Sequence, residues 1–506
     1  MIKNLLVLIL LSSKLIAQNH NNVWVFGDSA GIDFNNGAIP IITGMDGRGS
    51  CVSYSDSTGS LMIYTFTRAS AGAWTTHIFN STNVSVVGAD SITGSGWYSE
   101  LALLPKPGDN SGNIFYVFSI GVTGSPNPGL YYTLIDMGLN GGLGGVLQEN
   151  IQIDNINYGD CLTLVKHGNG RDWWVITKIN NFPFTFYNRF RTYLVTNDSI
   201  HPCIVQSFND ASDVGFQKIC WHPSINKFML INTRGYMSEF NFDRCNGAIT
   251  LNQNIFPEQS SNFNRPFWEG AYSPNGNIFY VSRTSYGGNY GDYNYLLQYD
   301  LTSTDIPASC DTLDSTLYPP VDCGALRLAP DGKIYYSQAY ISQSVLSYPY
   351  ADSMYNYINQ NLGVINNPDV IGSGCNFSPF SFYLGGKRTY YGLPNNPNYS
   401  LGPLIGSPCD TLSTGISAVH QAGALIMPAP NPSSKVIYFN AQRVRGKAGV
   451  ISICNSLGLI VFKKAIEVYS GGYATQHIDV SGFCNGVYFI TLKTEKEIIS
   501  AKFVKN

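Results

Sequence analysis

The sequence predicts an all-β fold, with a β-propeller followed by a small Ig-like β-sandwich, and three observations lead to that prediction. The 506 residues include 51 Gly, 33 Tyr and 27 Phe but only 12% charged residues, about half the roughly 25% of an ordinary soluble chain. Aromatic residues favour strands and glycines favour the turns between them. A unit of turn plus apolar run recurs through the middle, and alternating strand patterns fill roughly the last eighty residues.

The middle of the chain repeats a turn of Gly, Asn, Asp or Pro followed by a run of apolar and aromatic residues. The second residues of six such runs are 53, 59, 55, 50 and 56 positions apart: Met62, Phe115, Trp174, Met229, Phe279 and Tyr335. This spacing indicates a repeat architecture, and four strands per unit are typical of a propeller blade. Six internal units and one composite blade predict seven blades, with a six-bladed ring as the alternative.

The composite blade would close the ring from both ends of the propeller. Residues 22–34 have the pattern of two outer strands, and residues 374–386 have the pattern of two inner strands. We therefore expect residues 22–34 to pair in one sheet with residues near 375–391.

The first 17 residues have the pattern of a secretory signal peptide. Lys3 supplies the positive charge, residues 5–11 are apolar, and Ala17 is the small residue before the expected cleavage point. Lys14 interrupts the apolar run too early for a membrane span. The chain is therefore expected to be exported.

The mature chain contains 11 cysteines. Export permits disulfides, and an odd count leaves at least one thiol unpaired or paired to another chain. Cys310 and Cys323 are one local pair that the spacing allows, but spacing alone does not assign connectivity.

The C-terminal strands carry a series of ordered motifs. They are Pro430-Asn431-Pro432, the turn at 455–458, Asp479-Val480-Ser481, the segment 486–489 and the basic end at 502–505. Together they closely resemble the type A sorting domain of the type IX secretion system of Bacteroidota. The resemblance implies recognition by the secretion machinery, export across two membranes, and either attachment to a surface polysaccharide anchor or release.

A second resemblance covers the predicted propeller. The segments VWVFGDSAGIDFNNG (23–37), PKPG (105–108) and YGLPN (391–395) are similar to those of a family of secreted Bacteroidota propeller-like proteins. That family implies the fold and a secreted or outer-surface location, but no activity. The expected organisation is a signal peptide (1–17), a propeller (18–395), a linker (396–425) and a type IX sorting domain (426–506).

Several repeat units carry one charged residue just before the turn. Propellers often bind ligands at the mouth of the central channel, where the innermost strands begin. We expect four carboxylates to converge there as a site for a polar ligand or a cation, with solvated loop charges as the alternative. A bound cation, Arg48 or Lys218 would have to lie among them to relieve their repulsion. The four are Glu100, Asp160, Glu269 and Asp322.

The sequence contains no motif that identifies a reaction. Gly-x-Ser-x-Gly, His-Glu-x-x-His and Walker sequences do not occur. No cysteine or histidine spacing suggests zinc. We therefore assign no catalytic residue, metal or cofactor, and the net charge of −3 argues against a nucleic-acid partner.

Two functions from different classes remain. The preferred one is a non-enzymatic secreted or surface binding or adhesion protein with a glycan or protein ligand. The alternative is a secreted, glycosidase-like hydrolase with its site at the channel mouth. A plugged channel would favour the binding protein, and paired carboxylates at glycosidase distance would favour the enzyme.

Overall fold

The chain divides into two compact units, Met1–Asp410 and Thr411–Asn506. The computed structural model describes residues 19–68, 75–94, 98–121, 127–180, 187–210, 216–258, 266–284, 292–341, 354–410, 425–455, 459–469 and 472–506. The predicted signal peptide and residues 411–424 of the predicted linker lie outside these ranges. Within the described ranges, no helix is both long and apolar enough to cross a membrane.

The first unit is a ring of antiparallel sheets, which confirms the predicted all-β propeller. It begins with an N-terminal sheet of β1 (Val23–Phe26), β2 (Asp28–Asp33) and the first part of β3 (Ile39–Ser55). The second part of β3 pairs with the next strand instead and so starts the first of six four-stranded blades. The ring therefore consists of seven sheets.

Blades 1 to 3 follow one another along the chain, and their strands pair in sequence order. After β3, their strands are β4 (Leu61–Arg68), β5 (Thr75–Asn80), β6 (Ile92–Thr93), β7 (Leu101–Pro105), β8 (Ile114–Gly121), β9 (Gly129–Asp136), β10 (Gly145–Asp154), β11 (Thr163–Lys166), β12 (Trp173–Lys178), β13 (Asn188–Val195) and β14 (Ile204–Phe208).

Blades 4 to 6 have the same order. Their strands are β15 (Gln217–Trp221), β16 (Lys227–Asn232), β17 (Met237–Phe242), β18 (Ile249–Phe256), β19 (Phe267–Tyr272), β20 (Ile278–Arg283), β21 (Asp292–Asp300), β22 (Asp311–Tyr318), β23 (Val321–Leu328), β24 (Ile334–Tyr340), β25 (Asn361–Ile365) and β26 (Phe377–Tyr383). Short 3-10 helices lie in the connections at Asn140–Gly142, Pro307–Ser309 and Gly372–Cys375.

The first strand of each blade lines the central channel. These strands contact one another from blade to blade, β3 with β7, β7 with β11, β15 with β19 and β19 with β23. The second strands are the apolar runs of the sequence repeat, and β8 and β12 are buried along almost their whole length. Neighbouring blades cover both faces of these strands, so their residues do not alternate between apolar and polar.

The ring closes differently from the sequence prediction. Residues 22–34 form β1 and β2 of the N-terminal sheet, whereas β26 is the outer strand of blade 6, so the predicted composite sheet is wrong. Among the described residues, an isolated bridge between Asp28 and Arg388 joins the N-terminal sheet to the chain that follows blade 6. Packing completes the closure, because Trp24 of β1 contacts Tyr335 of blade 6 with ring centroids 5.9 Å apart.

The chain that follows blade 6 runs through the central channel. We call residues 391–399 the channel segment. At one end the carbonyl of Tyr391 accepts a hydrogen bond from the N–H of Ala325 at 2.7 Å, and at the other the Tyr399 hydroxyl donates to the carbonyl of Leu103 at 2.7 Å. The segment therefore runs alongside the innermost strands. We call the channel end where those strands begin the proximal end, and the other the distal end.

The chain remains attached to the propeller beyond the channel. Arg244 donates to the carbonyl of Gly402 at 2.7 Å, and a disulfide joins Cys245, between β17 and β18, to Cys409. Residues 396–410, the first half of the predicted linker, thus lie against the blades. Cys310 and Cys323, the local pair allowed by spacing, are both free thiols.

The second unit is a two-sheet β-sandwich. One sheet contains β27 (Leu425–Ala429), β28 (Val436–Gln442) and β31 (Ala474–Asp479). The other contains β29 (Ala448–Asn455), β30 (Ile460–Glu467), β32 (Gly486–Thr494) and β33 (Ile498–Lys505). Buried residues of both sheets form one core. Asn431 of the Pro-Asn-Pro motif fixes the last strand, because its side-chain oxygen accepts the N–H of Val504 at 2.9 Å.

Candidate functional site

Two of the predicted site residues form a carboxyl pair in the channel wall. Glu100 precedes β7 and Asp160 precedes β11, so neighbouring blades bring the two side chains together in a hydrogen bond. Such a bond requires a proton on one of the carboxyls. The N–H of Tyr98 donates to Glu100 Oε1 at 2.8 Å. Glu100 is fully buried, and burial raises its pKa to about 7.

The third predicted residue, Glu269 of β19, lies between two cations. Arg327 Nη1 is 2.8 Å from one carboxylate oxygen, and Lys218 Nζ is 3.5 Å from the other. Burial opposes ionisation of Glu269, but the two cations outweigh it and hold its pKa below the usual range. Lys218 also donates to Ser99 Oγ at 2.6 Å, beside Glu100. Lys218 thus lies among the carboxylates and links Glu269 to the wall that carries the acid pair.

The fourth predicted residue, Asp322, lies apart from the other three. Its carboxylate accepts hydrogen bonds from the hydroxyl of Thr284 at 3.0 Å and from the hydroxyl of Tyr391 at 3.2 Å. It therefore anchors the proximal start of the channel segment. The side chain of Arg48, the other cation considered, lies outside the described residues.

Aromatic side chains cover the proximal end of the channel. The ring of Tyr98 lies 5.4 Å from Phe216, 4.6 Å from Trp268 and 5.8 Å from Tyr391, measured between centroids. These residues belong to different blades and to the channel segment, and they pack edge to face or tilted. Glu100 and Glu269, which lie in the wall behind this layer, are 0% and 4% exposed.

The channel segment occupies one side of the channel. Asn395 donates to the carbonyls of Leu101 at 3.3 Å and Leu162 at 2.8 Å, and its side-chain oxygen accepts from Lys218 at 3.1 Å. These contacts satisfy backbone carbonyls that would otherwise face an open channel. The other side of the channel, next to blades 4 to 6, remains open toward the distal end.

A pocket of about 600 Å³ occupies that open side. We call it the distal pocket. Lys218 and Arg327 lie at its inner end, and Trp221 and Tyr272 come from the ends of β15 and β19. Its opposite wall is rich in amides, contributed by Asn19, Asn21, Asn22, Asn395, Asn396 and Asn398. Its volume lies within the range of ligand-binding pockets.

Sequence reasoning missed the residues that define this pocket. Arg327 is a single cation within the apolar run GALRLAP, and the predicted boundary after residue 395 separates Asn395 from Asn396 and Asn398. One signal was available: an arginine in an innermost, buried strand requires a partner. The asparagine-proline run gave no periodicity that would place it in the channel.

The rest of the described structure offers weaker candidates for a ligand or metal site. A larger cavity of about 1030 Å³ lies beside Asp154 and Arg191. Its main polar groups satisfy one another, because Asp154 accepts from Tyr158 at 2.6 Å, from Tyr193 and from Arg191. Within the described ranges, no group of three or more His, Cys, Asp or Glu side chains is arranged to hold a metal ion.

Comparison with known families identifies the C-terminal unit. Residues 429–506 match the family described as the secretion system C-terminal sorting domain. This domain marks proteins that the type IX secretion system delivers to the cell surface or the extracellular space, so the chain is such an exported protein and interacts with that machinery. A search among curated proteins gives no match.

Solved structures similar to this chain include several propellers. TolB from Acinetobacter baumannii is 12% identical with a TM-score of 0.30; the match covers 64% of this chain and 62% of TolB. The Swd1 β-propeller domain of Myceliophteria thermophila is 10% identical with a TM-score of 0.33, covering 63% and 93%. PorZ, a surface component of the type IX secretion system of Porphyromonas gingivalis, is 9% identical with a TM-score of 0.20, covering 96% and 80%.

Proposed function

We propose that this type IX-exported propeller is a non-enzymatic binding protein that takes its ligand in the distal pocket. The observation that carries the proposal is the division of the channel. The chain's own segment fills one side, aromatic residues cover the proximal end, and one amide- and aromatic-lined pocket of about 600 Å³ remains at the distal end. Sites of this size and lining bind small polar molecules.

The alternative, a glycosidase-like hydrolase, does not suit the predicted carboxylates. Glycosidases hold two carboxyl groups about 5–5.5 Å or 6.5–9.5 Å apart across the bond to be cleaved. Glu100 and Asp160 instead hydrogen-bond each other, which leaves no room for a sugar between them. Glu269 is committed to Arg327 and Lys218. None of these three carboxylates lines the distal pocket.

A glycan microarray probed with the mature secreted protein tests this function. We expect saturable binding to a defined subset of glycans. We also expect that no reducing ends are released from those glycans during prolonged incubation. Release of products that is abolished in Glu269→Gln would overturn the non-enzymatic function. Failure to retain any glycan on the array would remove saccharides as the ligand class of the pocket.

A further inference from the structure

We propose that the distal pocket is specific for a saccharide bearing a carboxylate, and that the guanidinium of Arg327 binds that carboxylate. This inference rests on the proposed function and adds the class of ligand. It follows from three features of the pocket: an Arg327 amino group that no described residue uses, the sign of the charge at the inner end, and the lining expected for a sugar.

The guanidinium of Arg327 is only partly used by the protein. Its Nε donates to the carbonyl of Pro394 at 3.1 Å, and Nη1 donates to Glu269 at 2.8 Å and to the carbonyl of Leu326 at 2.8 Å. Nη2 donates to none of the residues that the structure describes, and the side chain, 15% exposed, lines the pocket. Two N–H groups of a fixed, planar cation thus remain available to a ligand.

The charge at the inner end of the pocket is positive. Lys218 and Arg327 line the pocket, whereas their shared partner Glu269 lies behind them and neutralises only one of the two charges. The carboxylate that does line the pocket is Asp331, which is exposed at the rim and accepts the hydroxyl of Tyr335 at 2.9 Å. Solvent screens a rim charge far more than a buried one. An anionic group is therefore favoured at depth, and a cationic ligand is disfavoured.

The rest of the lining suits a sugar ring better than an apolar anion. Asn22 uses its amide nitrogen on Asn35 at 3.0 Å, and Asn398 uses its amide oxygen on the N–H of Ser400 at 3.1 Å. The amide oxygen of Asn22 can therefore accept a hydrogen bond from a sugar hydroxyl, and the amide nitrogen of Asn398 can donate one. Trp221, half-buried on the opposite wall, provides the apolar surface on which a sugar ring packs.

Titration calorimetry on the mature secreted protein tests the inference with two disaccharides of the same linkage. One is α-1,4-digalacturonic acid, and the other is the neutral α-1,4-galactose disaccharide. We expect the acidic disaccharide to bind at least ten-fold more tightly at pH 7. Arg327→Lys keeps the positive charge beside Glu269 but loses the Nη2 amino group. It should therefore remove most of the preference for the acidic disaccharide.

The control is Arg283→Lys, which makes the same substitution at an arginine that packs on Tyr295, 4.1 Å from the ring centroid, away from the pocket. It should leave both affinities unchanged. Thermal unfolding of each variant verifies that it is folded. Equal affinity for the two disaccharides, or an acid preference that survives in Arg327→Lys, overturns the inference while leaving a binding protein. Failure of both disaccharides to bind also overturns it, and the glycan array then decides the broader function independently.

Discussion

The backbone of Gly392 lies directly against the carbonyl oxygen of Gly49, so closely that a β-carbon at Gly392 would collide with that oxygen. Gly49 belongs to β3, and Gly392 is the second residue of the channel segment. This contact admits the chain into the channel at its proximal end. The glycine in the YGLPN sequence is thus required by a close approach of two backbones.

Gly392→Ala should destabilise the propeller. The added methyl group meets backbone on β3, which cannot move aside as a flexible side chain would. We expect a loss of about 1–3 kcal/mol in the free energy of unfolding, the usual cost of overpacking. Gly402→Ala is the matched control, because a β-carbon there meets nothing within 4 Å. Denaturant unfolding of the two variants should separate them, and equal midpoints would show that the segment is not held against β3.

The Cys245–Cys409 disulfide should stabilise the threaded chain. It connects residues 164 positions apart and ties the chain beyond the channel segment to blade 4. A double Cys245→Ser, Cys409→Ser variant should lose about 2–4 kcal/mol of stability, since a cross-link restricts the unfolded chain. Cys310→Ser, at an exposed free thiol, should lose nothing measurable. Thermal unfolding with and without reductant gives the comparison. A double variant as stable as the unmodified protein would contradict a stabilising role for the cross-link.

Glu100 should make stability depend on pH. Burial raises its pKa to about 7 from an ordinary 4.5, so the folded protein binds more protons than the unfolded chain between those values. Stability therefore falls as pH rises from about 4.5 to about 7, by about 3 kcal/mol in total. Glu100→Gln cannot ionise, and its amide can still hydrogen-bond Asp160.

We expect Glu100→Gln to match the unmodified protein at pH 5 and to be more stable at pH 8. Urea unfolding at both pH values measures this difference. Glu149→Gln, at an exposed position of β10, controls for the loss of one acid. If the two variants show the same pH profile, the buried carboxyl pair does not govern the titration.

The sorting domain should decide where the protein is found. Because residues 429–506 match the secretion system sorting domain, deleting them should leave the propeller inside the cell envelope of a type IX-competent host. Fractionation and immunoblotting of cells and medium measure this. Unchanged delivery of the truncated chain to the surface or the medium would contradict the prediction.

The fold could be read from the sequence more fully than the site. The apolar runs around Phe115 and Trp174 are buried second strands, and their regular spacing reports the blades directly. The closing contact at Arg388 could not be read, because a single bridge leaves no periodic pattern. The position of Asn395 in the channel could not be predicted either, because its partners are backbone carbonyls in two other blades.

The candidate site likewise has one part that the sequence predicts and one part that it does not. The charges at Glu100, Asp160 and Glu269 stand out in the sequence because they recur at similar positions in the repeat, and in the structure they lie in the channel wall. There Glu100 and Asp160 hydrogen-bond each other, and Glu269 forms an ion pair with Lys218. Sequence phase cannot distinguish a buried ion network from an open ligand site, since that depends on what else enters the channel.

The most direct test of ligand binding in the distal pocket is the crystal structure of the mature protein soaked with α-1,4-digalacturonic acid. We expect an intact disaccharide in the distal pocket, with one carboxylate on Arg327 and the channel segment still in place. A disaccharide cleaved in the crystal, one bound elsewhere on the propeller, or an empty pocket at saturating ligand would contradict it.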